Sequence, residues 1–166
     1  MLIYMDMERI LDFVFPPVCV GCQEVGEWIC SVCYKKYFKR NPPECVHCRV
    51  ENAKFNTHKE CIASTKIDRC IICWKYNKLS KKIMRSFKYN YRYAISNYLS
   101  KKVVEQYRGY FSKDLILIPV PSHPSKIKER GFNQSKMLAS KIAKLTNLPI
   151  LEPLERVTDS IQHAGM

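Results

Sequence analysis

The chain has 166 residues, and 28 basic against 15 acidic side chains give a formal net charge of +13 at pH 7. No apolar run approaches the ~18–20 residues that a membrane span needs. Residues 1–17 place Asp6, Glu8 and Asp12 among their apolar residues, which is not the pattern of a secretory signal, so a cytoplasmic location is expected. Nine cysteines in that setting point to metal binding rather than disulfides, and their odd number leaves one thiol over.

In chain order, residues 5–15 read as a short amphipathic helix. Met7, Ile10, Leu11 and Val14 lie on one side, and Pro16-Pro17 ends it. A domain boundary follows at residue 17. Residues 18–66 carry Cys19-Val-Gly-Cys22, a seven-residue spacer and Cys30-Ser-Val-Cys33. Two such pairs close a tetrahedral site of the zinc-ribbon type. Cys45-Val-His-Cys48 opens a second site. Its other half is either Cys70/Cys73 or His58-Lys-Glu-Cys61. Residues 67–76 are apolar, aromatic and β-branched and read as a strand. The i and i+3 thiols of a strand diverge, which favours Cys45, Cys48, His58 and Cys61. His47 is then a bystander in its knuckle. Four protein ligands leave no open position, so both metals are structural. Thiolate-rich sites of this kind accept zinc or iron.

Residues 67–166 change rhythm. Strand 67–76 precedes helix 79–89, whose Leu79, Ile83 and Phe87 recur at i, i+4 and i+8. Helix 94–107 follows. Between Arg69 and Val104 there is no acidic residue, while Lys81, Lys82, Arg85, Lys88 and Arg92 are interleaved with tyrosines, and Tyr34–Arg40 is a second basic-aromatic cluster. Cations neutralise phosphates and aromatic faces stack on bases, so single-stranded DNA is an expected partner. The same cations also fit the solvated face of an amphipathic helix.

The run Asp114–Pro121 reads as a strand buried on both faces of a parallel sheet. Residues 122–134 read as a polar loop, 135–146 as a helix with Leu138, Ile142 and Leu145 inward, and Leu148–Leu151 as a strand. Strand, loop, helix and strand make a βαβ unit, so the fold class expected here is α/β. The loop leaves the C-terminal end of its strand, where α/β sheets bind ligands. There Pro119, Val120, Pro121, Arg130, Gly131, Asn133 and Gln134 are the candidates for holding a phosphorylated ligand.

Leu11–Cys22, Ile29–Cys33, Cys45–Cys48, Phe87-Lys88-Tyr89, Ile118-Pro119-Val120-Pro121 and Glu129-Arg130-Gly131-Phe132-Asn133-Gln134 together resemble the ComF family of competence proteins. This resemblance covers essentially the whole chain. It implies a double zinc-binding module joined to a type I phosphoribosyltransferase domain. It also implies a role in DNA uptake and natural transformation, a helicase-type partner, and association with the membrane uptake machinery. The family's fourth cysteine pair aligns with Cys61 and Ser64, and His58 fills the vacancy. The family's ribose-phosphate loop, with its adjacent acidic residues, has no counterpart in this sequence. The phosphoribosyltransferase-like domain is therefore expected to be incomplete. Magnesium with phosphoribosyl pyrophosphate is expected only of a complete domain, and this chain is then a fragment or inactive remnant of such an enzyme. No residue pattern marks a nucleophile or general base, and no catalytic residue or oligomeric state is assigned.

Overall fold

The structure, a computed structural model, describes residues 16–89 and 93–157. The expected helix at 5–15 lies outside these residues, as does Arg92. The described chain is mostly helical: α1 (Ser31–Tyr37), α2 (Lys59–Thr65), α3 (Lys78–Tyr89), α4 (Tyr93–Tyr107), α5 (Pro124–Arg130) and α6 (Gln134–Thr146). Extended pairing among the described residues is confined to isolated bridges. Two compact units divide at Lys81/Lys82, inside α3 rather than at residue 66.

The first unit holds two copies of one supersecondary element. Around Cys19 and Cys45 the backbone repeats bond for bond. Cys19 N–H donates to Glu24 C=O at 2.8 Å and Cys45 N–H to Val50 C=O at 2.9 Å. Gln23 N–H and Arg49 N–H return to the carbonyls of Cys19 and Cys45 at 2.9 and 3.1 Å. Gln23 and Arg49 take the left-handed conformation, with φ of 69° and 62°. Bridges Val18–Val25 and Glu44–Glu51 close the two knuckles. A seven-residue helix follows each knuckle, α1 with Cys30 as N-cap and α2 with His58 as N-cap. The repeat is visible in sequence as Pro-Pro-x-Cys-x-x-Cys at 16–22 and 42–48. It departs from a plain zinc ribbon, since each second ligand pair stands at a helix start and not on a second knuckle.

Residues 67–76 do not form the expected strand. One antiparallel bridge joins Arg69 to Asn56, because the segment facing it runs directly into α2. The chain then turns to α1, where Lys75 N–H reaches Lys39 C=O at 2.9 Å. Asn77 caps α3 through Leu79 N–H and Ser80 N–H at 2.9 and 3.0 Å, and Ser80 Oγ accepts from Asn77 N–H in return.

In the second unit α4 packs on α6. Ile95, Ser96 and Ser100 are fully buried, with Leu99, Val104 and Tyr107 nearly so. Phe87 is 0 % exposed and its ring meets Phe132 at 5.9 Å. Phe87→Ala is expected to destabilise this unit by ~3–5 kcal/mol, through lost burial and the cavity left behind. The denaturant midpoint measures it, and a loss below ~1 kcal/mol would show that the site is not a packed core.

The expected strand at 114–121 is reduced to one parallel bridge, Leu117 with Ile150. Leu115, Ile116, Ile118 and Val120 remain 39–63 % exposed. Successive residues point to opposite faces: Leu117 and Pro119 are half-buried and buried on one, while Ile116, Ile118 and Val120 leave the other uncovered by the described residues. Pro119 and Pro121 also remove two ladder donors. The expected 122–134 loop contains α5. His123 caps it, accepting from Ser125 N–H at 3.3 Å, Pro124 occupies the first turn, and Gly131 ends it at φ 80°. An α/β sheet is thus not formed among the described residues, although the Leu117–Ile150 pairing is parallel and separated by helices.

Candidate metal centres

Each repeat gathers four donors. Cys19, Cys22, Cys30 and Cys33 form one cluster, and Cys45, Cys48, His58 and Cys61 the other, with all ligand atoms of a cluster within 4.8 Å of one another. A tetrahedral metal with sulfur bonds of about 2.3 Å sets its sulfurs about 3.8 Å apart. Cys22 Sγ and Cys30 Sγ are 3.6 Å apart, and Cys48 Sγ lies 3.2 Å from His58 Nδ1. The donor sets and spacings fit metal ions, and all four positions of each tetrahedron are protein ligands. Both clusters can hold a metal.

The local backbone explains the convergence. The left-handed residue after each Cys-x-x-Cys folds the knuckle back so that its two thiols face one point. The N-cap and N3 positions of the following helix lie on one side of its first turn. Cys30 Sγ accepts from Cys33 N–H at 3.5 Å, and Cys19 Sγ accepts from Cys30 N–H at 3.4 Å.

Electrostatics sort the thiols. Burial raises Cys19 and Cys45, but backbone N–H donors from the knuckle and the second ligand pair outweigh it and bring each to about 6. Cys22 stands at about 12. A backbone hydrogen bond near Glu24 lowers it, but desolvation and the neighbouring Cys30, Cys19 and Cys33 side chains prevail. Desolvation and the Cys45 and Cys48 side chains push Cys61 to about 11. One thiolate per cluster is therefore ready to capture a cation, and binding displaces protons from Cys22, Cys33 and Cys61.

The sites differ in packing. Cys19 and Cys33 are buried in the first, whereas only Cys45 is buried in the second, and each site has one exposed cysteine, Cys22 and Cys48. A Cβ placed on Gly21 would lie 2.6 Å from Cys33 Sγ. The corresponding position in the second knuckle is His47, which is exposed. Cys70 and Cys73 join neither cluster. Their segment is held at Phe55, where Cys70 N–H donates at 3.3 Å, and at Lys39.

No family model, curated protein or solved structure matches the chain. Among the described residues no helix is long and apolar enough to cross a membrane.

The expected phosphate loop is engaged internally. Asn133 caps α6 through Ser135 N–H at 3.0 Å, accepts from Ser122 Oγ at 3.2 Å and donates to Val120 C=O at 3.2 Å. Gly131 serves as the left-handed cap of α5 and Arg130 is its last, half-buried residue. Gln134 and Pro119 are buried, Pro121 is half-buried and Val120 is exposed. The sequence reading missed α5 because histidine is an unusual cap, although Pro124 and Gly131 marked its two ends.

On α3, Leu79, Ile83, Ser86 and Phe87 are buried, while Lys81, Lys82 and Arg85 are exposed and Lys88 half-buried. At about 100° per residue, Lys78, Lys81, Arg85 and Lys88 fall within about 80° of arc opposite the buried stripe, with Lys82 on its flank.

Proposed function

We propose that this chain is a ComF-like zinc protein of DNA uptake. In this reading two structural zinc ions fold its N-terminal module, and its α3 face holds single-stranded DNA. Zinc suits the closed donor sets of four cysteines and of three cysteines with one histidine. Zinc organises these ligands without redox chemistry and leaves the module as a rigid scaffold.

The observation that carries the nucleic-acid reading is the cationic face of α3. None of Lys78, Lys81, Lys82, Arg85 or Lys88 is paired with a carboxylate among the described residues. Three other lysines of the second unit, Lys102, Lys126 and Lys136, do bond to carboxylates, those of Glu105, Glu129 and Glu152. Lys78 and Lys81 also stand in the first turn of a helix that has no acidic residue there, against the positive end of its dipole. Folding does not call for that placement, whereas a polyphosphate strand rewards it.

The resemblance supplies the competence setting, the helicase-type partner and the phosphoribosyltransferase-like second domain. Catalysis with magnesium and phosphoribosyl pyrophosphate has less behind it. Asn133 and Gly131, two of its candidate ligand-holding residues, are already occupied in capping and pinning the loop.

The test is binding of a fluorescent oligothymidylate across a salt series. Replacing Lys81, Lys82, Arg85 and Lys88 with alanine is expected to lower the log-log salt slope by about 2.8, at about 0.7 per lost phosphate contact on a single strand. Wild-type protein that binds no single strand at low salt would sink the reading.

A further inference from the structure

We infer that a second single-strand contact lies in the metal module itself. It is built where the end of α1 meets the segment entering α3, with Tyr76 as its stacking platform. This inference rests on the nucleic-acid reading above and names a surface apart from the α3 face.

Two segments far apart in sequence are fastened together at this place. Lys75 N–H donates to Lys39 C=O at 2.9 Å, Asn77 Nδ2 donates to Tyr37 C=O at 2.7 Å, and the Phe38 and Trp74 rings meet edge to face at 5.1 Å. The junction brings Lys39 and Arg40 to Lys75, all three exposed. Neither segment contains an acidic residue, and none of the three is in an ion pair among the described residues. Lys35 and Lys36 have a local reason to be basic, since they lie in the last turn of α1 where cations suit the helix dipole. Lys39, Arg40 and Lys75 lie beyond that helix and have no such reason.

The aromatic residues sort in the same way. Tyr34 stacks on Phe38 at 5.0 Å, Phe38 holds Trp74, and the Tyr37 ring carries Lys36 Nζ at 5.2 Å. Tyr76 is 74 % exposed and its ring meets no other aromatic among the described residues. Tyr76 thus sets an exposed aromatic ring next to the unpaired Lys75. It matches the pairing of base stacking with phosphate neutralisation that single strands select. A duplex offers phosphates but no free base face, so the surface distinguishes the two forms.

The experiment uses the full chain loaded with zinc and an oligothymidylate of about 20 nucleotides, longer than the ~4–16 that small single-strand modules cover. An abasic strand of equal length serves as control, and zinc content per chain reports folding. The triple variant Lys39→Ala, Arg40→Ala, Lys75→Ala is expected to lower the salt slope by about 2. Tyr76→Ala is expected to weaken oligothymidylate binding at least about fivefold and to leave the abasic strand unaffected. If the triple variant binds like wild type while the α3 variant fails, this second contact is overturned and the function reading stands. If Tyr76→Ala weakens both strands equally, or neither, the stacking role is overturned. If wild type binds no single strand, both fall together.

Discussion

Stripping metal from the protein with a strong chelator is expected to unfold residues 18–66 and expose them to protease. The reason is the composition of the first unit's interior. Among its described residues, Cys19, Val20, Ile29, Cys33, Cys45, Thr57 and Leu79 are buried, and three of these are metal ligands. Val20, Ile29 and Leu79 contribute ~1.5–3 kcal/mol each, little against the entropy of ordering some fifty residues. A structural zinc ion contributes ~10–16 kcal/mol at pH 7. Cys19→Ala and Cys45→Ala should each lose one metal ion per chain and unfold the corresponding repeat. Cys70→Ser and Cys73→Ser should keep both ions. Limited proteolysis with metal analysis reads all four, and a module that stays protected without metal would overturn the account.

The sign of the pH dependence follows from the thiols. Cys22 and Cys33 are held protonated at neutral pH, and both must ionise to bind metal. Binding therefore releases protons, and affinity rises with pH. The first site should lose at least about a hundredfold in affinity for each unit of acidification, tenfold per proton released. The second site, with one buried ligand against two in the first and a histidine in place of a thiolate, should surrender its ion to a chelator first.

Gly21→Ala is expected to cost the first site its metal, whereas His47→Ala leaves the second intact. The added methyl group would sit 2.6 Å from Cys33 Sγ and 3.1 Å from its Cβ. Cys33 is buried and fixed at the third position of α1, so it has no room to yield. Either the knuckle opens or the thiol swings off the metal. Position 47 faces solvent in the otherwise equivalent knuckle, and shortening its side chain touches no ligand. Metal per chain, measured after desalting, should fall from two toward one for Gly21→Ala only. Two retained ions in that variant would show that the knuckle can shift without cost. The clash accounts for glycine at position 21, whereas position 47 is exposed.

The amphipathic helices α3 and α6 were readable from periodicity, because burial of one face is a local pattern that the sequence carries directly. The stripe of Leu79, Ile83 and Phe87 is buried as its spacing requires. Leu145 remains 43 % exposed at the far end of α6, a limit that periodicity cannot show. Apolar runs without periodicity misled. Residues 67–76 and 114–121 have strand composition, but strands exist only where a partner offers a matching row of donors and acceptors. The segment facing Arg69 enters α2 after a few residues, and Leu117 has a single bridge partner.

The metal ligands show the same division. Cys-x-x-Cys spacing is itself a chelate, since a short loop forces both thiols toward one point, and that much was local. The choice of partners for Cys45 and Cys48 was not. Cys70 and Cys73 stay away because backbone bonds at Phe55 and Lys39 hold their segment elsewhere, and not because strand geometry turns their side chains apart. Spacing alone thus marked out the half-sites and the helix faces. Which half-sites meet, and which cations from distant segments share a surface, depended on long-range hydrogen bonds whose partners are written far apart in the chain.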